Sequence, residues 1–139
     1  TNPKMTRFMM TLENAVELVL YAFKNGKNGD IFVQKAPSST IGQLVEVMKE
    51  ITNSKSEIKN IGIRHGEKMH ETLLSKEERL VSEDLGNYFR IPADNRDLNY
   101  EKYFDIGLKT NSLEEFNSFN TESLSNKSLT DLLASIGYK

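Results

Sequence analysis

The chain has 139 residues, and 37% hydrophobic with 27% charged residues suits one soluble globular domain and is too apolar for a disordered one. A formal net charge of -2 excludes a global positive field for nucleic acid or an acidic membrane, so any anion must be bound locally. The absence of cysteine excludes disulfides, thiolate metal sites and a thiol nucleophile. With no apolar run of about 18 residues and no basic-then-apolar leader, the expectation is a cytoplasmic protein without a membrane span.

Taken in chain order, Arg7 to Met10 is a short apolar-leaning run. Thr11 then caps a helix carrying Leu12, Ala15, Val16, Val19, Leu20 and Phe23 at three-and-four spacing. That helix is expected to end near Asn25-Gly26, where a left-handed residue is cheap. The continuous apolar run Ile31 to Val33, between Gly29 and Pro37, predicts a strand buried on both faces. After the Pro37-Ser38-Ser39 turn, Thr40 and Gln43 predict a capping box for a helix with Ile41, Leu44, Val45, Met48 and Ile51 inward. Ile61 and Ile63 alternate as in a short buried strand, Gly66 allows a sharp turn, and Glu67 to Leu74 can begin a helix.

This rhythm argues for an α/β segment over residues 1–75, followed by a loop-rich arm over 76–139. The arm holds a possible box in Ser75 and Glu78, an unassigned stretch Tyr88 to Pro92, and a polar, aromatic-dotted run from Asp94 to Asn120. It closes on an amphipathic helix with Leu129, Leu132, Leu133 and Ile136 before Gly137.

The chemistry concentrates in residues 61–73, IGIRHGEKMHETL. Arg64 can fork onto phosphate oxygens, and the Glu67 carboxylate suits ribose hydroxyls, which outlines a nucleotide-sugar site. The plainer reading is a surface Arg-Glu pair worth about 0 to 1 kcal/mol. Arg7, between Thr6 and Phe8, is the second cation. Meeting Arg64, it would complete a diphosphate clamp of two charge-assisted contacts at about 1.5 to 3 kcal/mol each. Alone, it is a surface arginine. Thr6, Asn95 and Arg96 are further candidates, the last two in an Asp94-Asn95-Arg96-Asp97 cluster that reads equally as an Asx-rich turn. His65 and His70, with no H-E-x-x-H arrangement, read as a turn residue and a helix-surface residue rather than metal ligands. None of the eight glycines provides G-x-G-x-x-G, and no tyrosine is followed four residues later by lysine. A complete hydride-transfer site is not encoded, and no residue is assigned a catalytic role.

The phrases KMTRFMMTLENAVELVLYAFKNGKNGDIFVQKAPSSTI, IGIRHGEKMHETLLSKEE and YFRIPADNRDLNYEKYF together resemble the C-terminal part of capsular and surface polysaccharide nucleotide-sugar enzymes. These are extended short-chain dehydrogenase/reductases acting on UDP-N-acetylglucosamine or related UDP-hexoses as 4,6-dehydratases or 4-epimerases. The resemblance implies the C-terminal substrate-binding portion of that α/β fold, with the nucleotide-binding Rossmann half absent. It implies that Arg7, Arg64 and Glu67 hold the UDP moiety. NAD(P) would be bound by the N-terminal half, with none expected on this chain alone. The partners implied are a UDP-sugar, the N-terminal half and, in the complete enzyme, further copies of itself, with Tyr100 to Phe119 as the candidate contact. Such a portion, inactive alone, would expose apolar surface on the Leu12 to Phe23 helix and the Ile31 to Val33 strand. The other reading, a free-standing interaction module, requires a self-contained core; a remnant of a split gene would look like the first.

Overall fold

In the computed structural model, which describes residues 1–93 and 114–138, the described residues form seven short strands and four helices. They group into two compact units. The first draws on Thr1–Ala15, Ala36–Thr72 and Asn117–Lys139, the second on Val16–Lys35 and Leu73–Phe116. Each unit thus takes segments from both sides of residue 75.

In the first unit, β1 (Thr6–Phe8) pairs antiparallel with β3 (Ser38–Thr40), Arg7 opposite Ser39. Helix α2 (Ile41–Ile51) starts directly from β3, because the Thr40 hydroxyl accepts the Gln43 N–H as an N-cap. The Gln43 side chain does not close the expected box. It donates to the Leu124 carbonyl at 2.8 Å and to Asn126 Oδ1 at 2.9 Å, fastening the start of α4 (Asn126–Ser135) beside α2. Val47, Leu129 and Leu133 are buried between these helices, with Met9, Leu44, Met48, Ile51 and Leu124 packed around them; each such side chain contributes about 1.5 to 3 kcal/mol. The helix α4 ends in a Schellman turn at Gly137, φ 101°, where Gly137 N–H donates to the Ala134 carbonyl and Tyr138 N–H to the Leu133 carbonyl.

In the second unit, β2 (Ile31–Gln34), β6 (Tyr88–Ile91) and β5 (Glu83–Asp84) form an antiparallel sheet in the order β2-β6-β5. Helix α3 (Lys76–Val81) carries the full Ser75/Glu78 capping box. Phe89 is buried, with the Arg79 guanidinium 4.0 Å and Lys35 Nζ 4.3 Å from its ring centroid. Arg90 joins Asp30 at 2.8 Å and Glu83 at 3.0 Å.

Four expectations need correction. The Ile31 strand is not buried on both faces: among the described residues β2 has a single neighbour, β6, and Ile31 is 56% exposed. Gly26 is not left-handed. Its N–H closes on the Ala22 carbonyl, and an added Cβ would lie 2.6 Å from that oxygen and 3.0 Å from the Phe32 ring, so the position needs a small residue. Residues 61–63 form no strand, since nothing among the described residues pairs with them, and Ile61 and Ile63 are 54% and 51% exposed. Residues 67–74 form no helix. The Glu67 carboxylate closes a turn instead, the chain bends at Met69 and His70, and Thr72–Leu74 becomes strand β4.

Helix α1 (Leu12–Asn25) starts as expected, with Thr11 Oγ1 accepting the Asn14 N–H at 3.2 Å. It buries none of its residues. Leu12, Val16, Val19, Leu20 and Phe23 are all exposed, Phe23 by 84%. The apolar surface expected on this helix is present, and a self-contained core would have covered it. No described helix is long and apolar enough to cross a membrane.

Candidate functional site

Arg64, Glu67, Arg7 and Thr6 all lie in the first unit. Gly66, at φ 79°, turns the chain back so that the Glu67 carboxylate accepts the Arg64 N–H at 2.9 Å while the Glu67 N–H donates to the Arg64 carbonyl at 3.1 Å. The turn is closed by two hydrogen bonds between the residues proposed to meet phosphate and ribose. The Arg64 guanidinium is exposed and, among the described residues, makes no hydrogen bond or ion pair.

Arg7 reaches the stretch that follows this turn. Its Nη1 donates to the Thr6 carbonyl at 2.7 Å and the Met69 carbonyl at 3.4 Å; its Nη2 donates to the Lys68 carbonyl at 3.1 Å. Nε faces the Glu71 carboxylate at 3.5 Å. One Nη2 hydrogen is left with only the Met5 thioether, 3.7 Å away, the weakest of these contacts. The strand residue Arg7 and the turn residues Arg64 and Glu67, about sixty positions apart in sequence, therefore belong to one continuous patch of backbone.

Thr6 holds the same stretch from its own side. Its backbone N–H donates to the Met69 carbonyl at 3.0 Å, and its hydroxyl lies 2.8 Å from His70 Nδ1 and 2.6 Å from Ser118 Oγ. Ser118, fully buried, accepts the Glu71 N–H on its hydroxyl at 2.9 Å and donates its own N–H to the Glu71 carbonyl at 2.8 Å. Buried hydroxyls satisfied this way define geometry, because any displacement leaves a donor without a partner. His70 is thus a partner of Thr6 at a bend of the chain, not a helix-surface residue. Among the described residues no three His, Cys, Asp or Glu side chains converge for a metal ion.

Ser118 and Glu71 escaped the reading of the sequence. Serine at 118 carries no local signal, since its partners are 112 and 47 residues away. Glu71 likewise has its partners, Arg7 and Ser118, far along the chain. Asn95 and Arg96 lie outside the described residues, as do Tyr100, Tyr103 and Phe104. Of the aromatic run, Phe116 is buried in β7 (Phe116–Asn117), its ring 5.3 Å from that of Phe89. Phe119 is exposed, its ring 4.8 Å from that of His70.

Residues 1–93 match the family described as polysaccharide biosynthesis protein, and residues 94–138 the family described as polysaccharide biosynthesis protein C-terminal. Among similar curated proteins are those named UDP-glucose 4-epimerase from Rickettsia felis (52% identical), Rickettsia bellii (53%) and Rickettsia prowazekii (51%). Each alignment covers 99% of this chain and 41% of the relative, so the chain spans about two fifths of their length. A solved structure described as the X-ray structure of Pen from Bacillus thuringiensis is similar with a TM-score of 0.78 and 31% identity, over 99% of this chain and 39% of that one.

Proposed function

The chain belongs to the polysaccharide biosynthesis protein family, and from that premise we propose that it is the UDP-sugar-binding part of a cytoplasmic, NAD(P)-dependent UDP-hexose 4-epimerase. The observation that carries the reading is the shared backbone patch. Arg7 donates to the carbonyls of Lys68 and Met69, the stretch that emerges from the Arg64–Glu67 turn. This sets Arg7 against the stretch that follows the turn bearing Arg64 and Glu67, which supports the reading that two cations and a carboxylate serve one pyrophosphate and its ribose. Arg64, with its guanidinium unengaged among the described residues, meets the diphosphate; Arg7 adds a second positive charge; Glu67 accepts from ribose hydroxyls.

The relatives' names favour epimerisation over 4,6-dehydration and UDP-glucose over UDP-N-acetylglucosamine. In such a reaction NAD(P) takes a hydride from C4 and returns it to the opposite face. The residues of this chain do not fit that cofactor. No G-x-G-x-x-G occurs, and Gly42, beside the β3–α2 corner, is packed against Pro3, which a Cβ would approach to 3.1 Å. The hydride step is assigned to the remaining length of the enzyme, and this chain binds and orients the substrate. The exposed apolar stripe of α1 and the edge of β2 that no described strand pairs support docking of that remainder there, and the chain alone is expected to be inactive.

The test is a calorimetric titration of UDP into the chain, alone and mixed with the N-terminal half of a relative. We expect binding that weakens at least about tenfold in Arg64→Ala, the scale of a lost charge-assisted contact. No binding even in the mixed pair would remove the proposal. In the pair, turnover of UDP-glucose with NAD(P) should yield the C4 epimer; accumulation of a 4-keto sugar would point to dehydration instead.

A further inference from the structure

We propose that Glu71 is a positioning residue that sets the orientation of the Arg7 guanidinium for the diphosphate, an inference that rests on the UDP-sugar reading of this site. The backbone of Glu71 is fixed at both ends by one buried residue: its N–H donates to Ser118 Oγ and its carbonyl accepts the Ser118 N–H. A carboxylate on so constrained a backbone can locate a partner. Its Oε1 lies 3.5 Å from Arg7 Nε.

Guanidinium is planar, so fixing the Nε edge and the two Nη atoms fixes the whole fork. Glu71 faces the Nε edge as an ion pair at 3.5 Å. The carbonyls of Thr6, Met69 and Lys68 take three of the four Nη hydrogens, and the fourth meets only the Met5 sulfur at 3.7 Å. That weakly held N–H is the one an anionic oxygen can claim without displacing a carbonyl. Thioether sulfur is a poor acceptor, and phosphate oxygen a strong one. The carboxylate carries the same sign as the ligand, but it is neutralised by the guanidinium it touches and is partly exposed, with 44% of its side chain accessible. Its repulsion of phosphate is therefore screened, while its hold on Arg7 is local.

The geometry assigns three distinguishable consequences to Glu71→Gln. Affinity for UDP falls roughly two- to fivefold, the range an exposed ion pair supplies. Affinity for uridine, which has no phosphate, is unchanged. The loss vanishes in an Arg7→Ala background, because Glu71 acts only through Arg7. A purely structural role would lower UDP and uridine binding together and persist without Arg7. An unchanged or tighter UDP affinity, or an equal loss in both backgrounds, overturns the proposal.

A second measurement does not depend on the nucleotide. In the 15N–1H spectrum of the chain, the Arg7 Nε–Hε signal should be protected from solvent exchange, and Glu71→Gln should shift it and hasten its exchange. An Arg7 signal indifferent to that substitution overturns the inference whether or not UDP binds. Absence of UDP binding beside a responsive Arg7 signal would instead strike the functional reading and show that Glu71 orients Arg7 without the proposed ligand, which also refutes the assignment to the diphosphate.

Discussion

Replacing Ser118 by alanine removes one oxygen that serves three neighbours, and the structure ranks what each loses. The Thr6 carbonyl, 3.1 Å from Ser118 Oγ, keeps the Arg7 Nη1 donor at 2.7 Å. The Thr6 hydroxyl keeps His70 Nδ1 at 2.8 Å. The Glu71 N–H, whose acceptor is Ser118 Oγ at 2.9 Å, is left in a partly buried place without one. A single orphaned amide costs about 1 to 3 kcal/mol, and partial burial puts this one at about 1 to 2. Thr6→Val, which keeps shape and β-branching, takes the Thr6 hydroxyl from both His70 Nδ1 and Ser118 Oγ, but Ser118 keeps the Glu71 amide and the Thr6 carbonyl, so the main loss is the His70 partner, at about 0.5 to 1 kcal/mol. Urea denaturation of the three proteins should rank wild type above Thr6→Val and Thr6→Val above Ser118→Ala. The double variant should lose less than the sum, because both substitutions act on one network. A Ser118→Ala protein as stable as wild type, or less damaged than Thr6→Val, would refute the described network.

Gly66→Ala introduces no clash, since nothing lies within 4 Å of the added Cβ, but it forces an L residue to φ 79°. Stability should fall by about 1 to 2 kcal/mol, and UDP affinity with it as the Arg64–Glu67 turn opens; an unchanged affinity would mean that this turn does not hold the ligand. Asp30 is held below the usual carboxylate value of 3.8, chiefly by the Lys27 N–H and, against the opposing effect of burial, by Arg90. A carboxylate with a lower folded than unfolded pKa adds stability above the unfolded value and loses it as pH falls through the folded one. Wild type should therefore weaken as pH falls below the ordinary carboxylate value of 3.8, and Asp30→Asn should show a smaller part of that loss. Identical acid sensitivity in both would contradict the role given to Asp30.

The helices were largely legible. Three-and-four spacing marked α1, α2 and α4, and the caps at Thr11, Thr40 and Ser75 are where side chains accept the first amides. Their signals are local, which is why they read correctly. The strands were less so. Tyr88 to Ile91 is only four residues long, too short for its Phe-Arg-Ile alternation to mark a strand by itself, and its place as the middle strand follows from pairing with β2 and β5. The Ile61–Ile63 pair carries a strand pattern with no described partner, and the helix read into Glu67 to Leu74 gave way to long-range contacts with Thr6 and Ser118. Of the candidate site, the residue types were visible and the contact of Arg7 with Lys68, Met69 and Glu71 was not. Side-chain chemistry picked out Arg7, Arg64 and Glu67, whereas Glu71 and Ser118 matter only through neighbours that folding brings to them.

The central claim is that Arg64 and Arg7 face one diphosphate. It is tested most directly by following the arginine Nε–Hε signals of the 15N-labelled chain, paired with the N-terminal half of a relative, as UDP and then uridine are added. The account predicts that UDP moves the Arg64 and Arg7 signals, that uridine moves neither, and that Arg79 and Arg90, in the second unit, stay in place. Arginine signals unmoved by saturating UDP, or moved equally by uridine, would contradict it.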